Sequence, residues 1–459
     1  VTSHPQTALW HPFADMAAVS AKGELVLASG EGAWVTDESG RRYLDASAGL
    51  WYCNVGHGRT RIAEAAARQM STLAAYSAFG DLATRPALEL AERLSALAPL
   101  ADAKVFLTSG GSDSVDTAVK LARRYWAEVG SPHRNVIVTR THAYHGMHLA
   151  GTSLAGIPAN RQGHGDLDPA VLQIDWSDAD ALIDLLDQRD DVAAFFCEPI
   201  IGAGGVYAPP EGYLDRVREA CRERDVLFVA DEVISGYGRA GDMFASTRWS
   251  LDPDVLLSAK GVTSGYVPLG AVLVSGRVAE PFWTPGPAPV MWRHGYTYSA
   301  HAAGAAAAMA NLDILDEEHL VDTAAVLQHS LARALSPLTA FDVVSEVRAG
   351  VGVLAAVDFT PDAIAEGVPP RVLTGLRERG VLTRTLASGA IQVSPSFVVT
   401  DADLGLLASA FEGALEAVES SRVAPSPLDV TLLPDITTDE GIDGFDDRHY
   451  LEQVPPHYS

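Results

Sequence analysis

Lysine is almost absent from this chain. Among 33 basic residues the lysines are Lys22, Lys104, Lys120 and Lys260, so arginine supplies nearly all the positive charge. A chain that uses arginine almost everywhere keeps lysine where arginine will not serve, and the task arginine cannot perform is losing its proton. A lysine in a poorly solvated site can become a neutral amine and attack a carbonyl. Positive charge as a whole is also scarce: the net charge is −26, and no run of Lys or Arg exists. That argues against a nucleic acid or an anionic membrane as partner. Cysteine is limited to Cys53, Cys197 and Cys221, an odd number without metal-site spacing. No disulfide framework is implied, and reduced cytosol is the natural compartment. No apolar run approaches membrane-spanning length. Val1-Thr2-Ser3-His4-Pro5 carries neither a basic n-region nor an apolar h-region. The expected location is the cytoplasm.

What is present is a globular composition, 459 residues and 47% hydrophobic, enough for one large core and a smaller one. Residues 1–60 are a mixed lead-in with strand-like pieces predicted at Leu25–Ala28 and Ala33–Thr36. Arg61–Leu73 and Pro86–Leu97 read as amphipathic helices. From about 103 to 276 short strands are predicted at Val105–Leu107, Asn135–Thr139, Ala193–Cys197, Val226–Ala230, Asp254–Leu257 and Ala271–Val274, alternating with helical stretches. This rhythm predicts a mostly parallel sheet covered by helices on both faces, with ligands beyond the carboxyl ends of its strands. An Ala-rich helix, Ala302–Leu315, then leads to a smaller α+β unit. The expected division is 1–60 as the N-terminal part of a small domain, 61–329 as the large domain, 330–422 as the rest of the small domain, and 423–459 as an acidic, Pro-containing tail.

Several strand ends carry polar motifs. Leu107-Thr108-Ser109-Gly110-Gly111-Ser112-Asp113 enters a helix whose apolar stripe is Val115, Ala118, Val119, Ala122 and Trp126. A Gly/Ser loop at a helix N-terminus suits an anion such as a phosphate, although many such turns use Gly and Ser merely to turn and cap. It lacks the lysine of a nucleoside-triphosphate loop, and Ser114 replaces the final glycine of a hydrolase nucleophile elbow. Thr141-His142-Ala143-Tyr144-His145-Gly146-Met147-His148 has three histidines but no acidic or Cys partner nearby, which disfavours a metal. Its aromatic could give a ring a flat face to stack on.

Glu198-Pro199 precedes Gly202-Ala203-Gly204-Gly205-Val206-Tyr207, where Tyr207 occupies the third glycine position of a dinucleotide fingerprint and discounts NAD. Asp231, in Val229-Ala230-Asp231-Glu232-Val233, ends a buried strand. Such a carboxylate either caps locally or needs a cation, and a protonated ring nitrogen would be one. Finally, the apolar run Asp254–Leu257 delivers Lys260 and a Gly/Ser/Thr loop. A lysine reaching solvent by its stem is the plainer reading. Aromatics beside glycines in Gly49-Leu50-Trp51-Tyr52-Cys53 are either core or the wall of an apolar pocket.

Together, a phosphate cradle, an aromatic face, a buried Asp and a Schiff-base Lys are the parts that hold pyridoxal 5′-phosphate (PLP). With these motifs the chain closely resembles the class III aminotransferases of ω-amino acids and amines, PLP-dependent enzymes of aspartate-aminotransferase fold type I. The resemblance runs from about Trp10 to Glu419 and includes His294-Gly295-Tyr296-Thr297-Tyr298-Ser299. It implies an α/β large domain with a mostly parallel seven-stranded sheet plus a smaller α+β domain. It further implies Lys260 as internal aldimine and proton shuttle, Asp231 on the pyridine nitrogen, Tyr144 and Val233 on the two ring faces, with His145 beside them, and Gly111 and Ser112 on the phosphate. Glu198 would organise the surroundings of Asp231, and Thr297 would reach the phosphate from a neighbouring subunit, making a homodimer, or a tetramer of such dimers, the catalytic unit. Trp51, Ala203 and Phe79 (donated across the dimer) would wall the substrate pocket, and Arg384 would pair with a substrate carboxylate.

The chain departs from the family at Gly110, often Ser there, and at Ala300 and Ala302, often Gly and Pro. The expected reaction is ping-pong transamination from an amine to a keto acid such as pyruvate. Alternatives are a mutase, racemase or decarboxylase on the same scaffold, a diaminopelargonate-type aminotransferase, to which Leu9-Trp10-His11-Pro12-Phe13 is similar, or a non-enzymatic PLP-binding protein.

Overall fold

Seven strands form the central sheet, in the order Lys104–Thr108, Gly270–Val274, Val255–Ser258, Leu227–Asp231, Val192–Cys197, Val136–Arg140, Val171–Ile174. The computed structural model of the protein describes residues 7–286 and 290–423. Of the stretch expected as an acidic tail, everything beyond Val423 lies outside the described residues.

Central strands such as Val192–Cys197 and Leu227–Asp231 are buried at every residue, as strands covered on both faces must be. Successive side chains alternate between layers. Phe196 and Val229 pack under the helix Gly111–Glu128, whose stripe Val115, Ala118, Val119, Ala122 and Trp126 is wholly buried. Phe195 and Phe228 pack on the other face beneath Ala179–Gln188 and Tyr213–Glu223.

Gly270–Val274 alone in this sheet is antiparallel to its neighbours. A parallel neighbour would need a crossover helix, and the chain from Ser258 to Gly270 holds only a short 3₁₀ turn, so it must double back. Lys260 sits in that return. The strand Val171–Ile174 was not predicted: it has four residues at the sheet edge, mostly half-buried, and lacks the continuous apolar run of its inner neighbours.

A second sheet joins distant parts of the chain. Leu27–Glu31, Trp34–Asp37 and Arg42–Asp45 form an antiparallel meander, and Val381–Leu382 adds to it in parallel. The first strand is thus shifted from the expected Leu25–Ala28, where Leu27 is exposed and no buried run sets the boundary. A third sheet contains Val344–Arg348, Ala355–Phe359 and Ile391–Val393.

Arg239 fastens these parts together. Fully buried, it donates through Nη1 to the carbonyls of Val353 (3.1 Å), Ser394 (3.3 Å) and Pro395 (2.6 Å), and through Nη2 to Asn54 Oδ1 (2.5 Å). Its guanidinium lies 4.7 Å from the Phe397 ring centroid, and burial pulls its pKa below the usual arginine range. Replacing it with methionine would strand four buried acceptors. We predict that Arg239→Met lowers stability by at least ~3 kcal/mol, read from the urea midpoint. An unchanged midpoint would show that those acceptors find other donors.

Candidate active site

The carboxyl ends of the strands converge on a cavity of about 360 Å³, within the range of small-molecule sites. Lys260 enters it from the return after Ser258 with φ 45°, a left-handed conformation that costs a non-glycine residue about 1–2 kcal/mol. Protein surrounds the amine closely enough that burial lowers its pKa from 10.5 to about 8. Asp231 and Glu198 oppose that shift and Arg384 adds to it. Near pH 8 about half of such amines are neutral.

Asp231 faces the same cavity, and its carboxylate is already engaged. Oδ2 accepts from His145 Nδ1 at 2.7 Å, and Oδ1 accepts from the Val233 N–H at 3.1 Å. A carboxylate only accepts, so Nδ1 carries the imidazole proton. His145 Nε2 is buried without a partner among the described residues. Glu198 staples two loops, Oε1 accepting from the Tyr144 N–H (2.8 Å) and Oε2 from the Gly202 N–H (3.0 Å). Burial pushes its pKa above the usual carboxylate range, against the pull of His145. Arg140 donates to the Glu198 carbonyl from beneath.

At the other end of the cavity the helix Gly111–Glu128 begins without a side-chain cap. Its first N–H groups and the positive end of its dipole are therefore free for an anion. The cradle admits no side chain at Gly111 or Gly146, whereas Gly110 faces open space. A Cβ on Gly111 would come within 2.9 Å of Val233 Cγ1, and one on Gly146 within 2.4 Å of Ser112 Oγ. Ser112 Oγ accepts from the Met147 N–H at 3.2 Å, tying cradle to aromatic loop. Tyr144 and Val233 both line the space. An uncapped helix end, a carboxylate, two walls and a deprotonatable amine in one cavity fit PLP.

Trp51 is buried, and its ring centroid lies 5.9 Å from Lys260 Nζ and 4.4 Å from the Arg384 guanidinium. Ala203 packs against the cluster that holds Trp51, and its carbonyl accepts from the Ala387 N–H at 3.3 Å. Between Arg384 and Ser394 the chain makes a tight hairpin closed by a bridge between Thr385 and Ile391. Trp51, Ala203 and Arg384 are not among the residues lining the lysine cavity itself, and two further expected residues lie elsewhere. Phe79 borders a separate cavity of about 740 Å³ with Trp292 and His294, and Thr297 is exposed. Neither lines the lysine cavity of its own chain. The three histidines of the 141–148 loop part company: His142 meets the Tyr207 ring, His145 meets Asp231, and His148 lies 3.4 Å from Asp113.

Some lining residues escaped sequence reasoning. Thr263, Gly265, Val267 and Leu269 come from the loop after Lys260, whose Gly/Ser/Thr character was the available signal. Tyr52 also lines the cavity, its ring filling the place where a Cβ on Gly49 or Gly265 would fall, 2.3 and 2.2 Å away. Local sequence offers no sign of that contact.

The Aminotransferase class-III family model matches residues 16–415. The putrescine–pyruvate aminotransferase of Pseudomonas aeruginosa is 37% identical over 369 residues, 76% of this chain and 80% of that protein. The omega-amino acid–pyruvate aminotransferase of Pseudomonas putida is 36% identical over 408 residues, 83% of this chain and 90% of that protein. Among solved structures, an amine transaminase from an uncultivated Pseudomonas species in its PLP-bound form superposes with a TM-score of 0.85 at 37% identity, covering 90% of this chain and 99% of that one.

A lowered lysine pKa leaves more neutral amine at a given pH, so capture of an aldehyde should gain rate as pH rises through about 8 rather than 10.5. In cofactor-free protein, the rate of PLP capture followed by absorbance should level off above that midpoint. Lys260→Met should remove the phase. A midpoint near 10.5 would mean that the amine is solvated like a surface lysine.

Proposed function

This chain belongs to the class III aminotransferases, PLP-dependent enzymes of fold type I, and we propose that it moves an amino group from a primary amine or ω-amino acid to pyruvate. The observation that carries this reading is the deprotonatable Lys260 amine sharing one cavity with an engaged Asp231 and an uncapped Gly/Ser cradle.

When bound, PLP supplies an electrophilic carbonyl and a ring that withdraws the electrons left behind when the substrate carbon loses its proton. The chain supplies the rest. Gly111, Ser112 and the helix N-terminus would hold the phosphate. Asp231, oriented by His145, would hold a proton on the ring nitrogen, and Tyr144 and Val233 would cover the ring. Glu198 keeps the loops carrying Tyr144 and Gly202 in register. Lys260 Nζ would accept and give up a proton beside the substrate carbon, as a general base and then acid whose pKa lies near working pH. Trp51, Phe79 and Ala203 wall the substrate side, and Arg384 receives a carboxylate where the substrate has one.

Phe79 borders a separate cavity and Thr297 is exposed, so both are accessible to a second copy, in keeping with a homodimer in which each copy completes the other's site. We also read residues 61–329 as the cofactor-holding domain, with 1–60 and 330–422 forming the smaller unit. The three buried free thiols suit a reducing compartment, and we place the enzyme in the cytoplasm. Among the described residues no helix is long and apolar enough to cross a membrane.

The visible band of the PLP-loaded protein should bleach on adding an amine and return on adding pyruvate. Release of carbon dioxide, or bleaching that pyruvate does not reverse, would point instead to a decarboxylase or mutase. Lys260→Ala should abolish turnover, and Asp231→Asn should lower kcat by about 10²-fold or more with the melting temperature little changed. Wild-type turnover in either variant would remove these residues from the mechanism.

A further inference from the structure

Gln392 lies on the strand Ile391–Val393 and is fully buried. Its backbone is fixed from several sides. The N–H donates to the Arg384 carbonyl at 3.0 Å, the residue pairs with Ala356 across the sheet, and the Thr383 hydroxyl donates to its carbonyl. The side chain is equally constrained: Oε1 accepts from Arg384 Nε at 2.9 Å and Nε2 donates to Ser394 Oγ at 3.3 Å. Arginine Nε only donates, so the amide must present its oxygen there and its nitrogen to the serine.

Arg384 itself is a partly buried charge over Trp51, its guanidinium carbon 4.4 Å from the ring centroid. Burial pulls its pKa down, and among the described residues only the Tyr144 phenol opposes that pull, with no carboxylate contributing. A guanidinium over an aromatic ring without an anion is ready for one. A carboxylate can dock on its side edge, formed by Nε and one terminal nitrogen, or on its end, formed by both terminal nitrogens. Gln392 occupies Nε and so closes the side edge.

We propose that Gln392 is a specificity-determining positioning residue: by tethering Arg384 Nε it holds the guanidinium against Trp51 and offers its two terminal nitrogens end-on to the carboxylate of ω-amino acids and 2-keto acids. This rests on the reading of Arg384 as the group that receives the substrate carboxylate. An apolar residue at 392 would leave Nε–H unpaired in a poorly solvated place, and the arginine would leave Trp51 for water.

The test uses the PLP-loaded protein, with propanoate binding measured by calorimetry and kcat/KM compared for β-alanine and the carboxylate-free 1-phenylethylamine. Gln392→Leu should weaken propanoate roughly tenfold and lower the β-alanine to 1-phenylethylamine preference by a similar factor, mainly through KM. Gln392→Glu, close in size and still an acceptor, should also weaken propanoate because its charge occupies the arginine. It keeps the test open should the leucine variant fail to fold. Arg384→Met separates the two ideas. If it loses propanoate while both Gln392 variants bind like wild type, the role of Gln392 is overturned and that of Arg384 stands. If Arg384→Met binds propanoate normally, the underlying reading falls and this one with it. An equal loss on both amines in Gln392→Leu would reduce the residue to structural support and overturn the proposal.

Discussion

Removing water from the Lys260 amine is the condition on which the rest of the site depends. Desolvation favours the neutral form, but two nearby acids, Asp231 and Glu198, favour the charged one. Left free, either acid would pair with the lysine and hold its proton. Neither is free. Asp231 spends one oxygen on His145 and the other on the Val233 N–H, and Glu198 spends both on backbone amides. The hydrogen bonds that organise the loops therefore also keep the carboxylates from neutralising the lysine's chemistry. The net outcome is a pKa near 8, low enough for an amine to act as both base and acid in neutral solution.

That balance requires groups from four strand ends at one edge of the sheet, and topology delivers them. The parallel strands put their carboxyl ends side by side. The direct return from Ser258 to Gly270 then adds what a crossover helix could not: a loop that lays Lys260, Thr263 and Gly265 along the cavity. The close approach of Tyr52 to Gly49 and Gly265 couples the N-terminal segment to that loop. Trp51 is placed by the same strained stretch, with φ 46° at Ala48 and 62° at Trp51. Packing, not local preference, holds those conformations.

Legibility in the sequence followed the range of the interaction. Val192–Cys197 was readable because a strand buried on both faces is an unbroken apolar run, and the stripe of Gly111–Glu128 because helical spacing is local. Lys260 and Asp231 stood out because each is a polar residue at the end of such a run. The edge strand Val171–Ile174 and the start of Leu27–Glu31 carry no comparable contrast between buried and exposed positions. Arg239 reaching Asn54 and Pro395, or Tyr52 meeting Gly265, depends on residues roughly 150 to 210 positions apart, and no window of sequence contains both partners.

The bias toward arginine noted at the outset has a structural explanation in the buried guanidiniums. Arg239 reaches three carbonyls and an amide oxygen, and Arg140 reaches the carbonyls of Glu198 and Trp176. A fork of five donors can clamp backbone from several elements at once, whereas an ammonium is a compact point charge with three. Arg384 differs in one respect: its Nε is tethered while, among the described residues, no carboxylate acts on its charge. The same side chain is thus a structural clamp where carbonyls saturate it, and keeps terminal nitrogens available where they do not. Lysine is left for the one enclosed position where the proton must come off. Lys22 and Lys120 are exposed and Lys104, like Lys260, is half-buried, but of the four lysines only Lys260 faces the cavity.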